Sequence, residues 1–196
     1  MSFIPNCNWK AAGITLIHEN NVLLGYEKKD NSFSDIGGRR EYKDETKPNK
    51  RYDKTSWETA LNELLEELLL SSIDLTKFQI VCSGTLTNAP YVFYVLQILD
   101  RTIIDQAIEN VKKQAEIDPT LEITDFRWFS LEEIVKKFHF LPSISLFGND
   151  LYLAPNQMAQ FAEKKLVELP RKIRSRTREV LKSLVSTGIH HLLMNG

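Results

Sequence analysis

The segment from Ser56 to Leu70 has the strongest helical pattern in the chain. Its start has capping-box spacing, because Thr55 and Glu58 stand three residues apart. A stripe of leucines then follows at the intervals of an α-helix, at positions 61, 64, 65 and 68. Such a stripe is stable in water only when another part of the chain covers it, so this helix must pack on a core.

The same helix carries three glutamates on the face that lies largely opposite its leucines. Glu63, Glu66 and Glu67 have the spacing i, i+3 and i+4, which places their carboxylates side by side. On an exposed helix each close pair of like charges costs roughly 0.2–0.5 kcal/mol, so a solvated acidic face is one interpretation. The other is a site for Mg²⁺ or Mn²⁺, since both cations prefer oxygen ligands.

Around this helix the hydrophobic patterns alternate between strand and helix, which predicts a mixed α/β fold. Strands are predicted at 11–18, 22–28, 78–86, 90–99 and 123–129, and helices at 103–115 and 131–138. Residues 30–41 are expected to be mostly loop, with a short strand that ends at Gly37 and Gly38. The polar residues 42–55 are expected to form a long exposed loop.

The pattern changes near residue 150 and is helical beyond it. We therefore expect one domain over residues 1–150 and a helical extension over 151–196, which packs on that domain or mediates an interaction. Residues 157–196 contain eight Lys/Arg and three Asp/Glu, including the basic run RKIRSRTR at 171–178. This run is compatible with an RNA partner, although short basic runs are more often solvated. Apolar positions in the extension are also compatible with a homodimer.

Composition argues against several classes of protein. The 196 residues have a formal net charge of −1, which provides no global field for nucleic acid or membrane binding. No apolar run approaches the roughly 20 residues that a membrane-spanning helix needs. Cys7 and Cys82 form neither a CxxC motif nor a Cys/His cluster, so no zinc site or disulfide framework is expected. Because no signal-peptide pattern occurs at the N-terminus, the expected location is cytoplasmic.

Two separated parts of the chain together resemble the box of the Nudix hydrolase family, G-x5-E-x7-R-E-u-x-E-E-x-G-u, in which u is aliphatic. Gly38 matches the first glycine, and Asp44 with its neighbour Glu45 follows at the acidic position. After an insertion of about ten residues, the run from Asn62 to Leu70 matches the second half. The hairpin upstream and the segment FRWFSLEEI at 126–134 are also similar to family elements, so the resemblance covers about residues 10–140.

The resemblance implies a Nudix-like α/β/α sandwich with a mixed sheet. It also implies a hydrolase, dependent on Mg²⁺ or Mn²⁺, that cleaves a phosphoanhydride bond in a nucleoside diphosphate linked to another moiety. Nucleotides, nucleotide sugars, dinucleoside polyphosphates and capped RNA are substrates to consider. Glu63, Glu66 and Glu67 would hold the metal, with the Gly37 carbonyl as an additional ligand. Either Glu63 or Glu66 would act as the catalytic base.

Further residues are candidates for contacts with the substrate. Arg39 and Arg40 belong to a basic cluster that would attract phosphate groups, although a solubilising loop is an equally good interpretation. Glu122 and Asp125 are acidic candidates from a late loop. Four aromatic residues are candidates for stacking a base, but such residues are more often part of the core: Tyr26, Phe33, Tyr91 and Trp128.

Two positions depart from the family's box. Asn62 stands where the family has an arginine that orients a glutamate through charge-assisted hydrogen bonds, and Leu69 stands where the family has its last glycine. With Leu69 in place of that glycine, the chain is expected to leave the helix by a different route. Both departures leave an alternative function open, namely a Nudix-fold module that binds a nucleotide or RNA without catalysis.

Overall fold

A seven-stranded mixed sheet forms the centre of the part of the chain that this computed structural model describes, residues 9–42, 53–86, 89–137 and 172–186. Its strands run in the order β3-β2-β1-β6-β5, while β4 also pairs with β1 and β7 also pairs with β2. Only the β1–β6 pair is parallel among these described strands. The strands are β1 (Ala11–His18), β2 (Asn21–Glu27), β3 (Ser32–Ser34), β4 (Ile36–Arg39), β5 (Phe78–Thr85), β6 (Tyr91–Ile98) and β7 (Ile123–Ser130).

Helices cover both faces of this sheet and complete two hydrophobic cores. They are α1 (Ser56–Glu67), α2 (Thr102–Ile117), α3 (Leu131–Lys137) and α4 (Ser175–Ser186), and a short 3-10 turn lies at Leu75–Lys77. Helices α1 and α2 pack in one core, whereas α3 and α4 pack in the other. The α/β/α sandwich with a mixed sheet is therefore confirmed.

Helix α1 begins as its sequence predicts. Glu58 N–H donates to Thr55 Oγ1 at 3.1 Å, and Thr55 N–H donates to Glu58 Oε2 at 3.1 Å, so the capping box is present. Leu64 and Leu68 are fully buried and attach the helix to the sheet. The stripe of leucines thus fixes which face of α1 points away from the core.

Helix α1 ends earlier than predicted, and Leu69 adopts there the conformation of the glycine that it replaces in the box. The helix ends at Glu67 rather than Leu70, and Leu69 has a φ of 54°, in the left-handed region that glycine prefers. Leu70 N–H donates back to the Leu65 carbonyl at 2.8 Å, which closes the helix end. The chain thus leaves the helix in the conformation that a glycine would adopt, so the expected different route is wrong.

The segment that was expected to be mostly loop contains two strands. Gly37 and Gly38 lie within β4, opposite Gly13 and Ala12 of β1, and do not follow a strand as a turn. This part of the prediction was wrong because glycines weaken a strand pattern, although here they permit close approach of neighbouring chains. Residues 43–52, which include Asp44, Glu45 and most of the insertion, lie outside the described residues.

The described part of the C-terminal extension is built into the sheet and its core. Ile173 forms a parallel bridge with Phe33 of β3, and Val180, Leu181 and Leu184 of α4 are fully buried. The domain boundary predicted near residue 150 and the first part of the predicted helical extension lie outside the described residues. In the part of the chain that is described, no helix is both long and apolar enough to span a bilayer.

Candidate functional site

Strand β4 lies against the acidic face of α1, and its glycines permit this contact. A Cβ added to Gly38 would lie 2.3 Å from Glu63 Oε1. A Cβ added to Gly37 would lie 2.6 Å from both Gly13 Cα and the Tyr91 hydroxyl oxygen. Gly37 has no room for a side chain, and one at Gly38 would displace the Glu63 carboxylate, so the two glycines bring the backbone of β4 directly to the carboxylates.

Glu67 has one carboxylate oxygen with a partner and one without. The N–H of Gly37 donates to Glu67 Oε1 at 3.3 Å. Oε2 is fully enclosed and has no hydrogen-bond partner among the residues that the structure describes. Burial raises the pKa of Glu67 well above its usual range, and the nearby Glu63 raises it further. An enclosed oxygen of this kind costs free energy unless a ligand satisfies it, which makes the position a candidate binding site.

Glu63 and Glu66 stand beside Glu67 in the same cleft. Burial, followed by repulsion from Glu66 and Asp53, raises the pKa of Glu63 from 4.5 to about 7. The cleft has a volume of about 180 Å³. Its lining consists of Glu63, Glu66, Glu67, Leu69, Val111, Leu121, Glu122 and Ile123. The structure therefore brings Glu122 together with the three predicted metal ligands.

The residues of this cleft fit a hard divalent cation in their donor chemistry. All the acidic side chains that line the cleft offer carboxylate oxygens, and the unpartnered Oε2 of Glu67 is a vacant acceptor. In the described residues, no three His, Cys, Asp or Glu side chains are already arranged around a common point. The carboxylates repel one another when no ion is bound. They would therefore have to move closer together to coordinate one.

A second buried carboxylate, Asp53, lies beside this cleft. It is 2% exposed and accepts hydrogen bonds from Asn62 Nδ2 at 2.8 Å, from Thr59 Oγ1 at 3.1 Å and from the N–H of Glu41 at 2.8 Å. Asn62, which stands at the arginine position of the box, thus anchors the end of the inserted loop to α1. Sequence reasoning missed Asp53, because a polar segment gives no sign that one of its residues is buried.

The positively charged guanidinium of Arg176, in α4, contacts the backbone of β4 beside the cleft. Arg176 Nη2 donates to the carbonyl oxygens of Gly37 at 3.2 Å and Asp35 at 3.4 Å, and its Nε donates to Asp35 Oδ1 at 3.3 Å. The guanidinium also lies 4.6 Å from the centre of the Tyr91 ring. Sequence reasoning missed this residue, which lies 139 positions from Gly37 and belongs to a run that resembles a solvated basic face.

Three of the predicted substrate-binding residues lie elsewhere. Arg39 is exposed, and Arg40 packs over Trp9 at 3.9 Å while its Nε donates to the Asp53 carbonyl at 3.2 Å. Asp125 pairs with Arg127 at 2.6 Å in a separate surface hollow. The cleft around the glutamates therefore does not include Asp125.

The four aromatic candidates have structural contacts. Tyr26 and Phe33 pack against each other with tilted rings, and the Tyr26 hydroxyl donates to Asn31 at 2.9 Å. The buried Tyr91 hydroxyl donates to Asp35 Oδ2 at 2.5 Å, and Trp128 Nε1 donates to Asp105 at 3.0 Å. These contacts match the interpretation of the four residues as part of the packed structure.

No protein-family model and no curated protein matches the chain. Solved structures do match, with low TM-scores and low sequence identity. The Ap4A hydrolase of C. elegans is 15% identical at a TM-score of 0.39, with 65% of this chain and 84% of that chain covered. A hydrolase of the NUDIX family from Clostridium perfringens is 14% identical at a TM-score of 0.33, with 67% and 86% covered.

A third structure is the bifunctional NMN adenylyltransferase/ADP ribose pyrophosphatase from Francisella tularensis. It is 13% identical at a TM-score of 0.36, and the match covers 68% of this chain but only 37% of that longer one. A hydrolase of the NUDIX family is thus among the solved structures to which this chain is similar. The low TM-scores transfer no activity or substrate to the chain.

Proposed function

We propose that this protein is a hydrolase that uses Mg²⁺ or Mn²⁺ to cleave a phosphoanhydride bond in a nucleoside diphosphate linked to another moiety. The observation that carries the proposal is the enclosed, unpartnered Oε2 of Glu67 in a cleft that three further glutamates line. Such a concentration of carboxylates calls for a strong counter-charge, and a divalent cation supplies one.

Each residue of the site has a proposed role. Glu63, Glu66 and Glu67 would hold the metal, with the Gly37 carbonyl as an additional ligand. The bound ion would polarise phosphoryl oxygens and offset the charge that develops in the transition state. Either Glu63 or Glu66 would accept the proton of the attacking water as the new bond to phosphorus forms and the bridging oxygen leaves with the other phosphate.

The size of the cleft supports a diphosphate as the group that is recognised. Its volume of about 180 Å³ is small. Sites that enclose a whole drug-sized ligand typically measure roughly 300–1,000 Å³. The cleft therefore fits the reacting phosphates and their metal, while the nucleoside and the linked moiety would extend beyond it.

The test is hydrolysis of a panel of nucleoside diphosphate derivatives by the purified protein, with and without Mg²⁺ or Mn²⁺. We expect turnover only with metal, and we expect Glu66→Gln and Glu67→Gln each to lower it by roughly 100-fold or more. Glu109→Gln is the matched control, because Glu109 is an exposed residue of α2 outside the cleft. Unchanged turnover in both cleft variants would show that the assigned site is wrong.

The alternative function is nucleotide or RNA binding without catalysis. The hydrogen bond from Asn62 to Asp53 favours it, because Asn62 then does not orient a glutamate as the family's arginine would. Nucleotide binding without turnover in the same panel would support this alternative. An RNA partner has less support, since Lys172 donates to the Asp30 carbonyl and Arg174 pairs with Glu27 at 2.7 Å within the chain.

A further inference from the structure

We propose that Arg176 of α4 is a positioning residue for the metal site, which holds the Gly37 backbone in register with the Glu67 carboxylate. The inference rests on the proposed function. It assigns to the C-terminal segment a part in the site that the box residues alone do not provide. The proposed metal site would then be complete only when α4 is packed against the sheet.

The contacts of Arg176 are concentrated on the backbone that carries Gly37. Its guanidinium donates to the carbonyl oxygens of Gly37 and Asp35, two residues apart, and to the Asp35 carboxylate. The N–H of Gly37 in turn donates to Glu67 Oε1 at 3.3 Å. The Arg176 side chain therefore holds Gly37, the residue of β4 whose N–H donates to Glu67 of α1. A planar guanidinium suits this task because its donors point in fixed directions.

The backbone that presents Arg176 is itself held on both sides. Before it, Phe33 N–H donates to the Lys172 carbonyl at 2.8 Å, and Arg174 N–H donates to the Phe33 carbonyl at 2.9 Å. After it, the Thr177 hydroxyl accepts from the N–H of Asp35 at 2.9 Å and also donates to the Asp35 carboxylate. Since Thr177 is fully buried, the fold fixes the backbone from which the Arg176 side chain extends.

The charges around Arg176 support the same role. The box position that would carry an arginine is occupied by the neutral Asn62, which is bonded to Asp53. Arg176 interacts favourably with both Glu63 and Glu67 and thereby opposes the repulsion between them. Groups that orient metal ligands from behind commonly affect metal affinity by roughly 10–100-fold.

The test compares Arg176→Lys and Arg176→Gln with the control Arg174→Gln. Arg174 lies two residues away and pairs with Glu27 and Asp30, outside the proposed site. Mn²⁺ binding to each protein is measured by electron paramagnetic resonance. We expect the Kd for Mn²⁺ to rise roughly 10-fold or more in both Arg176 variants, and to stay unchanged in the control. Lysine keeps the charge but loses the fork of donors, so it does not restore affinity.

A second readout needs no metal. In the ¹H–¹⁵N spectrum of the metal-free protein, the Gly37 amide resonance should shift in Arg176→Lys and stay in place in Arg174→Gln. If Arg176→Gln fails to fold by circular dichroism, Arg176→Lys decides the question, because it keeps the buried charge that pairs with Asp35.

The outcomes separate this inference from the proposed function. If the wild-type protein binds Mn²⁺ and the Arg176 variants bind it equally or more tightly, the guanidinium is only a competing counter-charge and the inference alone is wrong. If the wild-type protein binds no Mn²⁺, the metal site itself is wrong and the inference falls with it.

Discussion

Two carboxylates, buried Asp53 beside α1 and half-buried Glu67 within it, have opposite surroundings. Asp53 accepts hydrogen bonds from Asn62, Thr59 and the backbone of Glu41, so both of its oxygens are satisfied. Glu67 accepts one long hydrogen bond from Gly37, and its second oxygen has no partner. A satisfied buried carboxylate holds structure together, whereas an unsatisfied one stores a cost that ligand binding can remove.

The largest effect should follow from neutralising the unsatisfied member of this pair. Glu67→Gln is expected to lower metal-dependent turnover by roughly 100-fold or more. It is expected to leave the metal-free protein at least as stable as the wild type, because it removes a carboxyl group whose ionisation burial disfavours. Turnover assays and thermal unfolding without metal check both parts. A marked loss of stability in Glu67→Gln would show that the Glu67 carboxylate, like that of Asp53, stabilises the fold.

The opposite result is expected at the satisfied carboxylate. Asp53→Ala leaves the Asn62 amide, the Thr59 hydroxyl and the Glu41 N–H without their acceptor, at a cost of about 2–3 kcal/mol in the free energy of unfolding. Urea denaturation measures this value, with Glu109→Gln as the control. A stability equal to that of the control would mean that the three hydrogen bonds do not hold the loop end.

The raised pKa of Glu63 predicts how the metal-free protein responds to pH. Its pKa is about 7 in the folded protein and 4.5 when unperturbed, so the folded state binds more protons between these values. The contribution of Glu63 to stability is therefore largest below the lower value and falls as the pH rises towards about 7. Thermal unfolding across this range should show a shallower decline in Glu63→Gln. An identical decline would contradict the assignment of the shift to this residue.

The smallest effect is expected at the end of α1. Leu69 has a φ of 54°, which costs a side-chain-bearing residue roughly 1–2 kcal/mol, partly offset by the greater backbone freedom that glycine loses on folding. Leu69→Gly should therefore raise the free energy of unfolding by about 0.5 kcal/mol. Leu69→Ala is the control, because alanine keeps the Cβ that makes this conformation costly. Equal stabilisation by alanine would contradict the backbone explanation.

Local sequence patterns predicted the elements that depend on near neighbours. The capping box of Thr55 and Glu58, the buried Leu64 and Leu68, and the strands β1, β2, β5, β6 and β7 all follow from spacing within one segment. The same patterns failed at Gly37 and Gly38, which lie inside β4. Their role depends on the approach of Tyr91 and Gly13 from other strands, and no local pattern contains that information.

What the sequence by itself determined is the face of α1 on which Glu63, Glu66 and Glu67 stand, because helical periodicity sets which side chains are neighbours on one helix. Tertiary structure alone decided that Glu67 is enclosed and Asp53 satisfied. It also decided that Arg176 faces Gly37 from 139 residues away. Those contacts arise where separate elements pack together, and packing is a property of the whole core rather than of any one segment.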